Sequence, residues 1–211
     1  MAQFSLSWDN SAVLTNTNSI SQRCSYKLRT SGTWLTTGFT PANDMAKTVI
    51  TANSPSGLSN NVVYQFKVEN ICTSGGPTIN DNGIQEDINF SCISPTLTET
   101  STTGTLVIDT TDTDIIAARI TLKLALDNSI IMAPTIINAV SNTITANATG
   151  LTVSTNYYWQ IELYAIVNNV TVISSDPSQM GSICSPYPFT TGTPPVCNPI
   201  TAGTISSIQT G

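Results

Sequence analysis

Asn80-Asp81-Asn82-Gly83, followed by Glu86 and Asp87, sets oxygen-bearing side chains at alternate positions around a glycine. A loop wraps a hard cation with such ligands. The spacing lacks the remaining ligands of a calcium loop, so the segment reads as a Gly/Asn turn between two strands. Asp109, Asp112 and Asp114 form a second acidic group, read as capping a strand and serving the loop after it. Trp34, Phe39, Tyr158, Tyr164 and Tyr187 have faces on which a sugar ring stacks, but they fall on different segments. The chain has no histidine, which removes His-based triads and the common zinc sets. No nucleophile stands beside a base, and no glycine-rich loop precedes a helix. The expectation is a protein without catalysis, metal or cofactor.

The bulk of the sequence is equally plain. Charged residues make up 9% of the 211, against about 25% in an ordinary soluble domain. Thr, Ser and Asn take their place, and these suit turns and solvent-facing strand positions. A net charge of −6 without a Lys/Arg cluster argues against a nucleic-acid partner. No apolar run approaches the roughly 18 residues that read as a membrane span. The first residues lack the basic stretch and apolar run of a secretory signal. Hydrophobic residues at 40% suffice for packed cores, and the length suits two small β-sandwiches of roughly 100 residues each.

The elements repeat. Gly57-Leu58 precedes Tyr64 as Gly150-Leu151 precedes Tyr157, with equal spacing from Leu to Tyr. Apolar alternation follows each Tyr, through Phe66 and Val68 in one copy and Trp159, Ile161 and Leu163 in the other. Period-two alternation after a glycine turn marks a half-buried strand. A Tyr at its start can return its hydroxyl to the corner backbone while the ring fills the core. Upstream, Cys24, Tyr26 and Leu28 alternate with Arg23, Ser25, Lys27 and Arg29. Ala118, Ile120, Leu122 and Leu124 likewise alternate with Arg119, Thr121 and Lys123. Each pattern gives one packed face and one wet face. Asn168-Asn169 reads as a tight hairpin turn.

These residues resemble the fibronectin type III family, with Trp8 and Tyr26 on early strands and the Leu58…Tyr64 and Leu151…Tyr157 corners. The second copy departs from the first: no Trp stands in Leu106-Val107-Ile108-Asp109, and Ile120 replaces Tyr26. The resemblance implies an all-β chain of two tandem fibronectin type III, Ig-like sandwiches. The modules are placed at 1–92 and 96–192, with a linker at 93–95 and a linker and strand-like tail at 193–211. Trp8, Tyr26, Leu58, Tyr64, Phe66, Leu151, Tyr157 and Trp159 are the expected core. In this topology Cys24 and Cys72 come to one end on inward parity, near bridging distance. Cytoplasmic assembly nevertheless makes buried free thiols the expected state of the five cysteines. Cys92 and Cys197 sit at equivalent junctions and receive no chemistry. The sequons at Asn89, Asn147 and Asn169 carry no meaning without a secretory route.

The first module begins at its second strand, and the tail repeats the opening of a module. Two readings follow: donor-strand exchange, with Ile200, Ala202, Ile205 and Ile208 supplied to the edge carrying Phe4 and Leu6, or a first module that simply lacks its first strand and a tail that lies along its own second module. Trp34 to Asp44, Val62 to Cys72 and Gly76 to Glu86 also resemble a module in virion proteins of crAss-like phages of gut Bacteroides. That resemblance implies a structural protein of the virion, assembled in the host cytoplasm. It would form a tail or portal ring, or a capsid decoration, with copies of itself and other virion proteins. The alternative is a glycan- or host-surface-binding adhesion module.

Overall fold

The computed structural model describes residues 3–9, 19–36, 40–41, 49–72, 78–174 and 184–193. Among them every regular element is a strand. The first sandwich contains β1 (Ser5–Asp9), β2 (Ser19–Leu28), β3 (Thr40–Pro41), β4 (Val49–Asn53), β5 (Val63–Cys72) and β6 (Thr78–Ile88). The second contains β7 (Thr96–Glu99), β8 (Gly104–Asp109), β9 (Ile115–Leu124), β10 (Ile130–Asn138), β11 (Thr143–Ala148), β12 (Asn156–Val167), β13 (Val170–Ile173) and β14 (Cys184–Thr190).

In the second sandwich one sheet runs β11-β8-β7 and the other β10-β9-β12-β13, with β14 also pairing β12. That is the strand arrangement of a fibronectin type III domain, whose last strand is here divided into β13 and β14. The first sandwich repeats its central strands, β2-β5-β6 answering β9-β12-β14 and β1-β4 answering β8-β11, while β3 pairs the other side of β4 and β7 and β10 have no counterparts among the described residues. The shared pairs are alike to the residue. Leu6 faces Ala52 and Trp8 faces Ile50 in one, as Leu106 faces Ala146 and Ile108 faces Ile144 in the other. Ile50-Thr51-Ala52-Asn53 and Ile144-Thr145-Ala146-Asn147 are thus the same strand twice. Registers also correct one equivalence: Tyr26 faces Phe66 and Leu122 faces Trp159, so Leu122, not Ile120, stands in the place of Tyr26. Without a partner strand, alternation alone leaves such two-residue slips open.

Gly57 and Gly150 hold φ at 92° and 69°, left-handed values that side chains disfavour. Past each corner the tyrosine hydroxyl accepts a backbone N–H five residues back, Ser59 to Tyr64 and Thr152 to Tyr157, both at 3.0 Å. Asn168 and Asn169 both have positive φ, which a two-residue hairpin between β12 and β13 requires. The larger core packs Trp159, Leu106, Ile108, Ile120, Leu122 and Ile144 between the sheets of the second sandwich. Val63, Ile88 and Phe90 of the first sandwich belong to that same core. The smaller core holds Phe4, Tyr64 and Phe66, with Leu6, Tyr26, Leu58 and Val62 against it.

The two cores solve one packing problem differently. Phe189, opposite Tyr157 on β14, stacks on Tyr157 and Trp159 with ring centres 5.7 and 6.0 Å apart. In the first sandwich the residue opposite Tyr64 is Asp87, and the missing ring comes from Phe4, 5.7 Å from Tyr64 and 5.1 Å from Phe66. Phe4 is equivalent to Gly104, where a Cβ would lie 2.6 Å from the Phe189 ring. One ring fits each core, and the strand that supplies it has changed.

Candidate interaction surfaces

Among the described residues, polar bonds gather densely at the joint between the sandwiches. Asp114, just before β9, accepts Val63 N–H at 2.7 Å and Arg29 Nη2 at 2.6 Å through its two oxygens. Arg29 also donates to the Ile166 carbonyl at 2.7 Å, and its guanidinium lies 3.8 Å from Glu86. Asn168 and Glu86 complete a reciprocal pair: Glu86 N–H donates to Asn168 Oδ1, and Asn168 N–H to Glu86 Oε2, each at 2.9 Å. Beneath them Asn61, buried with φ 60°, takes Ser91 N–H on its side chain and Asp114 N–H on its carbonyl. A charged clasp over a continuous apolar core ties the two modules together, where a joint in tandem domains is by default mobile.

The outward face of the β2-β5 sheet gathers charge and one indole. The mutual backbone bonds of Tyr26 and Leu35 bring Trp34 beside Lys27. The Lys67 and Lys27 ammonium groups stand 4.7 and 5.3 Å from the Trp34 ring centre, each worth about 0.5–1 kcal/mol at an exposed site. Glu69 accepts from Lys67 at 2.8 Å and from Arg23 Nε at 2.9 Å. Burial pushes the Glu69 carboxyl up, but hydrogen bonds and charge from Lys67 and Arg23 outweigh it and hold it below its ordinary value. The second sandwich keeps this pair as Arg119 and Glu162 on facing positions of β9 and β12.

Among the described strands, two of the sheet edges differ in how they are protected. Among the described residues β1 is terminal in its sheet, whereas its equivalent β8 is covered by β7. β10 is terminal too, with Ile130 and Ile136 at 58% and 59% exposure. No charged residue lies between Asp127 and Glu162. Pro134 and two register breaks blunt β10 in the way natural edges resist strand addition.

The residues singled out from the sequence divide between those the structure describes and those outside it. Tyr64, Phe66, Leu151, Tyr157 and Trp159 are buried, while Tyr26 and Leu58 are half-buried against the smaller core. Trp8 lies on β1 opposite Ile50, its side chain outside the described residues. Phe4 is buried at 5% exposure rather than offered at an edge, and Leu6 is half-buried. Ile200, Ala202, Ile205 and Ile208 lie outside the described residues, as does Phe39. Asn80 to Gly83 fall within β6, not in a loop between strands. Glu86 bonds Gln65 and Asn168, and Asp87 bonds Ile88 N–H, so these carboxylates converge on no cation. Among the described residues no group of three potential metal ligands gathers. Asp114 proves to be the joint's anchor rather than a cap, and only its partner on the other module could have revealed that.

The cysteines divide, Cys24 meeting the expectation of a free thiol and Cys92 departing from it. Cys24 is free, with burial pushing its thiol up to about 11. Register places Cys72 opposite Ser19 and Cys24 opposite Val68, about four strand residues, or roughly 13 Å, apart. A bridge needs a Cα separation under about 7 Å. Cys92, to which no chemistry was given, is disulfide-bonded. Of the dispersed aromatics, Tyr158 bonds Asn128 at the far end of the second sandwich, and Tyr187 bonds the Ile93 carbonyl. They share no platform with Trp34. A shallow depression of about 510 Å³, lined by Leu124, Ala125, Leu126, Ser154, Thr155 and Asn156, offers no titratable group.

No family model and no curated protein matches the chain. Among solved structures it is similar to the FN1–FN3 domains of chicken CNTN1, at 11% identity and a TM-score of 0.32 over 90% of this chain. It spans 63% of the length of that chain. It is also similar to the selenomethionine-substituted chicken interferon gamma receptor alpha chain, at 7% identity and a TM-score of 0.37, covering 85% of this chain and 88% of that one. The fold assignment rests on the strand pairing above: tandem sandwiches of fibronectin type III type.

Proposed function

We propose that the chain is a non-enzymatic structural component of a bacteriophage virion, a tail- or portal-associated ring or a capsid decoration. It assembles through its Ig-like modules with copies of itself and with other virion proteins. The observation that carries the assembly reading is the inequality of the two sandwiches. The same β-strand position is covered by β7 in the second and is vacant beside β1 among the described residues of the first. An uncovered strand presents unpaired N–H and C=O groups, which proteins normally hide. The joint supports the same reading, because modules tied together can pass a rotation to their neighbours. The virion assignment rests on the resemblance of Trp34–Asp44 and the two following segments to phage modules. Immunogold labelling and mass spectrometry of purified particles test it: the protein should be present in a fixed multiple per particle, around an axis or over the capsid. Absence from particles would end the reading.

A glycan-binding module is the second reading, favoured by Trp34 with Lys27 and Lys67 on one face. It requires that host polysaccharide bind the protein and that Trp34→Ala remove the binding while leaving the fold intact.

A further inference from the structure

We propose that β10 and its two flanking turns form the contact surface for a second copy of this chain, related by a two-fold axis at Ala133. The inference rests on the self-assembly reading and names a surface for it. Among the described residues, six of the eleven large apolar side chains left exposed lie on β10 or at its ends. Ile130, Ile131 and Ile136 are exposed on the strand itself. Leu126, in the turn before it, and Val140, in the turn after it, are the most exposed of all, at 88% and 73%. Ile116 joins the Val140 end, where Ala139 N–H donates to the Ile116 carbonyl at 2.8 Å.

The stripe is symmetric about its own centre. Ile130 and Ile136 each stand three residues from Ala133, and Leu126 and Val140 each stand seven. Two copies laid antiparallel about Ala133 therefore set Ile130 against Ile136 of the second copy, and Leu126 against Val140. An isologous contact requires such self-matching. Ile130 is opposite Lys123 and Ile136 opposite Arg119, four positions apart on β9, so both isoleucines leave the sheet on the same side. Ala133 and Pro134 are exposed at the centre, and neither is bulky enough to hold the copies apart. Pro134 has no N–H to donate, and both breaks in the β9 pairing fall between Ile130 and Thr135. The copies therefore meet through side chains rather than through a continued backbone ladder.

Area and charge both favour a second copy as the occupant. The six side chains leave roughly 600 Å² open, the upper end for the largest patch on an ordinary monomer. A pair would bury about 1,200 Å² in all, which reaches the size of a stable, specific interface. No charged residue lies between Asp127 and Glu162, so two chains of net charge −6 meet here without setting like charges together. Arg119, behind Ile136, is neutralised by Glu162. Lys123, behind Ile130, is brought by the axis toward that pair on the second copy, not toward its own equivalent. An isologous contact closes at two copies, so β10 supplies a pair and any larger assembly uses another surface.

The test uses the full-length chain and its mass in analytical ultracentrifugation. Wild type should pass from monomer to pair as concentration rises. Ile130→Lys and Ile136→Glu, both at exposed positions, should keep the β-sheet circular dichroism and each raise the concentration needed for pairing by about tenfold or more. Mixed one to one, the two variants should pair again near the wild-type concentration. The introduced ammonium and carboxylate then meet across the axis, and the unchanged Ile136 and Ile130 meet on its other side. Ile130→Lys mixed with Leu126→Glu should gain nothing, because the axis does not bring those positions together. Pairing that neither substitution weakens, weakening without rescue in the mixture, or equal rescue by Leu126→Glu would overturn this surface while leaving self-assembly standing. A wild-type chain that stays monomeric at every concentration would overturn both.

Discussion

Replacing Asp114 tests whether the two modules are one cooperative unit. In Asp114→Ala the Val63 N–H loses its acceptor at a residue with 0% exposure. Leaving a buried donor unsatisfied costs about 1–3 kcal/mol. The lost ion pair with Arg29, whose side chains keep 17% and 29% exposure, adds about 1 kcal/mol once solvent screening is allowed for. The sum is about 2–4 kcal/mol, and a chain of this size shifts its Tm by roughly 2–4 °C per kcal/mol. Calorimetry should therefore show a fall of about 5–15 °C and a single transition resolving into two as the joint loosens. Asp114→Asn retains an oxygen for Val63 and should lose only about 1 kcal/mol. The reasoning fails if Asp114→Ala melts within about 1 °C of wild type, or if Asn is as damaging as Ala. The first result would remove the clasp, and the second would assign its strength to charge rather than to the buried donor.

Gly104→Ala drives a methyl into the Phe189 ring and should cost about 1–3 kcal/mol in urea unfolding; the double change Gly104→Phe with Phe189→Asp, copying the first sandwich, should cost less than Gly104→Phe alone. Glu69 titrates below its ordinary value of 4.5, so its stabilisation is complete above that pH and declines as pH falls through the lower folded value. Glu69→Gln should accordingly lower the urea midpoint at pH 7 and flatten its decline between about pH 5 and 3; a wild-type slope in the variant would refute the ion pair. Thiol labelling of the native protein should spare Cys24, whose thiol is pushed up to about 11, and should label Cys92 only after reduction. Peptide mapping that finds Cys92 alkylated without reductant would contradict its bridge.

What could be read in the sequence was whatever a single strand announces. The alternation of Tyr64-Phe66 and Tyr157-Trp159, the Gly-Leu…Tyr corners and the Asn168-Asn169 turn are local, and local patterns predict local geometry. Quantities that depend on a partner strand were beyond it. The equivalence of Tyr26 with Leu122, and the distance between Cys24 and Cys72, are matters of register, and a shift of two residues preserves every inward face. Asn80 to Gly83 looked like a loop because turn residues dominate it, yet a glycine at φ 64° also serves a bulge inside β6. The joint was least visible of all. Arg29 and Asp114 are separated by 85 residues, and neither stands in a pattern that names the other. Ile50-Thr51-Ala52-Asn53 against Ile144-Thr145-Ala146-Asn147 was present to be read, and it is a stronger repeat than the corners.

The exchange of Phe4 for Phe189 bears on how far the first sandwich depends on company. If the strand missing beside β1 had to supply core volume, the first core would collapse or gape without it. Instead Phe4 fills from within the place that β14 fills in the second sandwich, and Tyr64 and Phe66 keep 5% and 2% exposure with no strand beyond β1 among the described residues. Among those residues the first module closes its aromatic core with its own rings. What they leave open is backbone at the β1 edge. Such an edge gains hydrogen bonds from a partner without requiring that partner in order to fold. A module of this kind can be made as a stable single chain and assembled afterwards. Exchange of the tail between copies sets the sign of one comparison: truncation after Thr193 should leave the melting temperature of the isolated chain unchanged and abolish only the concentration-dependent mass beyond the pair joined at β10. A truncated chain that melted lower while monomeric would show that the tail serves its own molecule, and the argument for exchange between copies would fall.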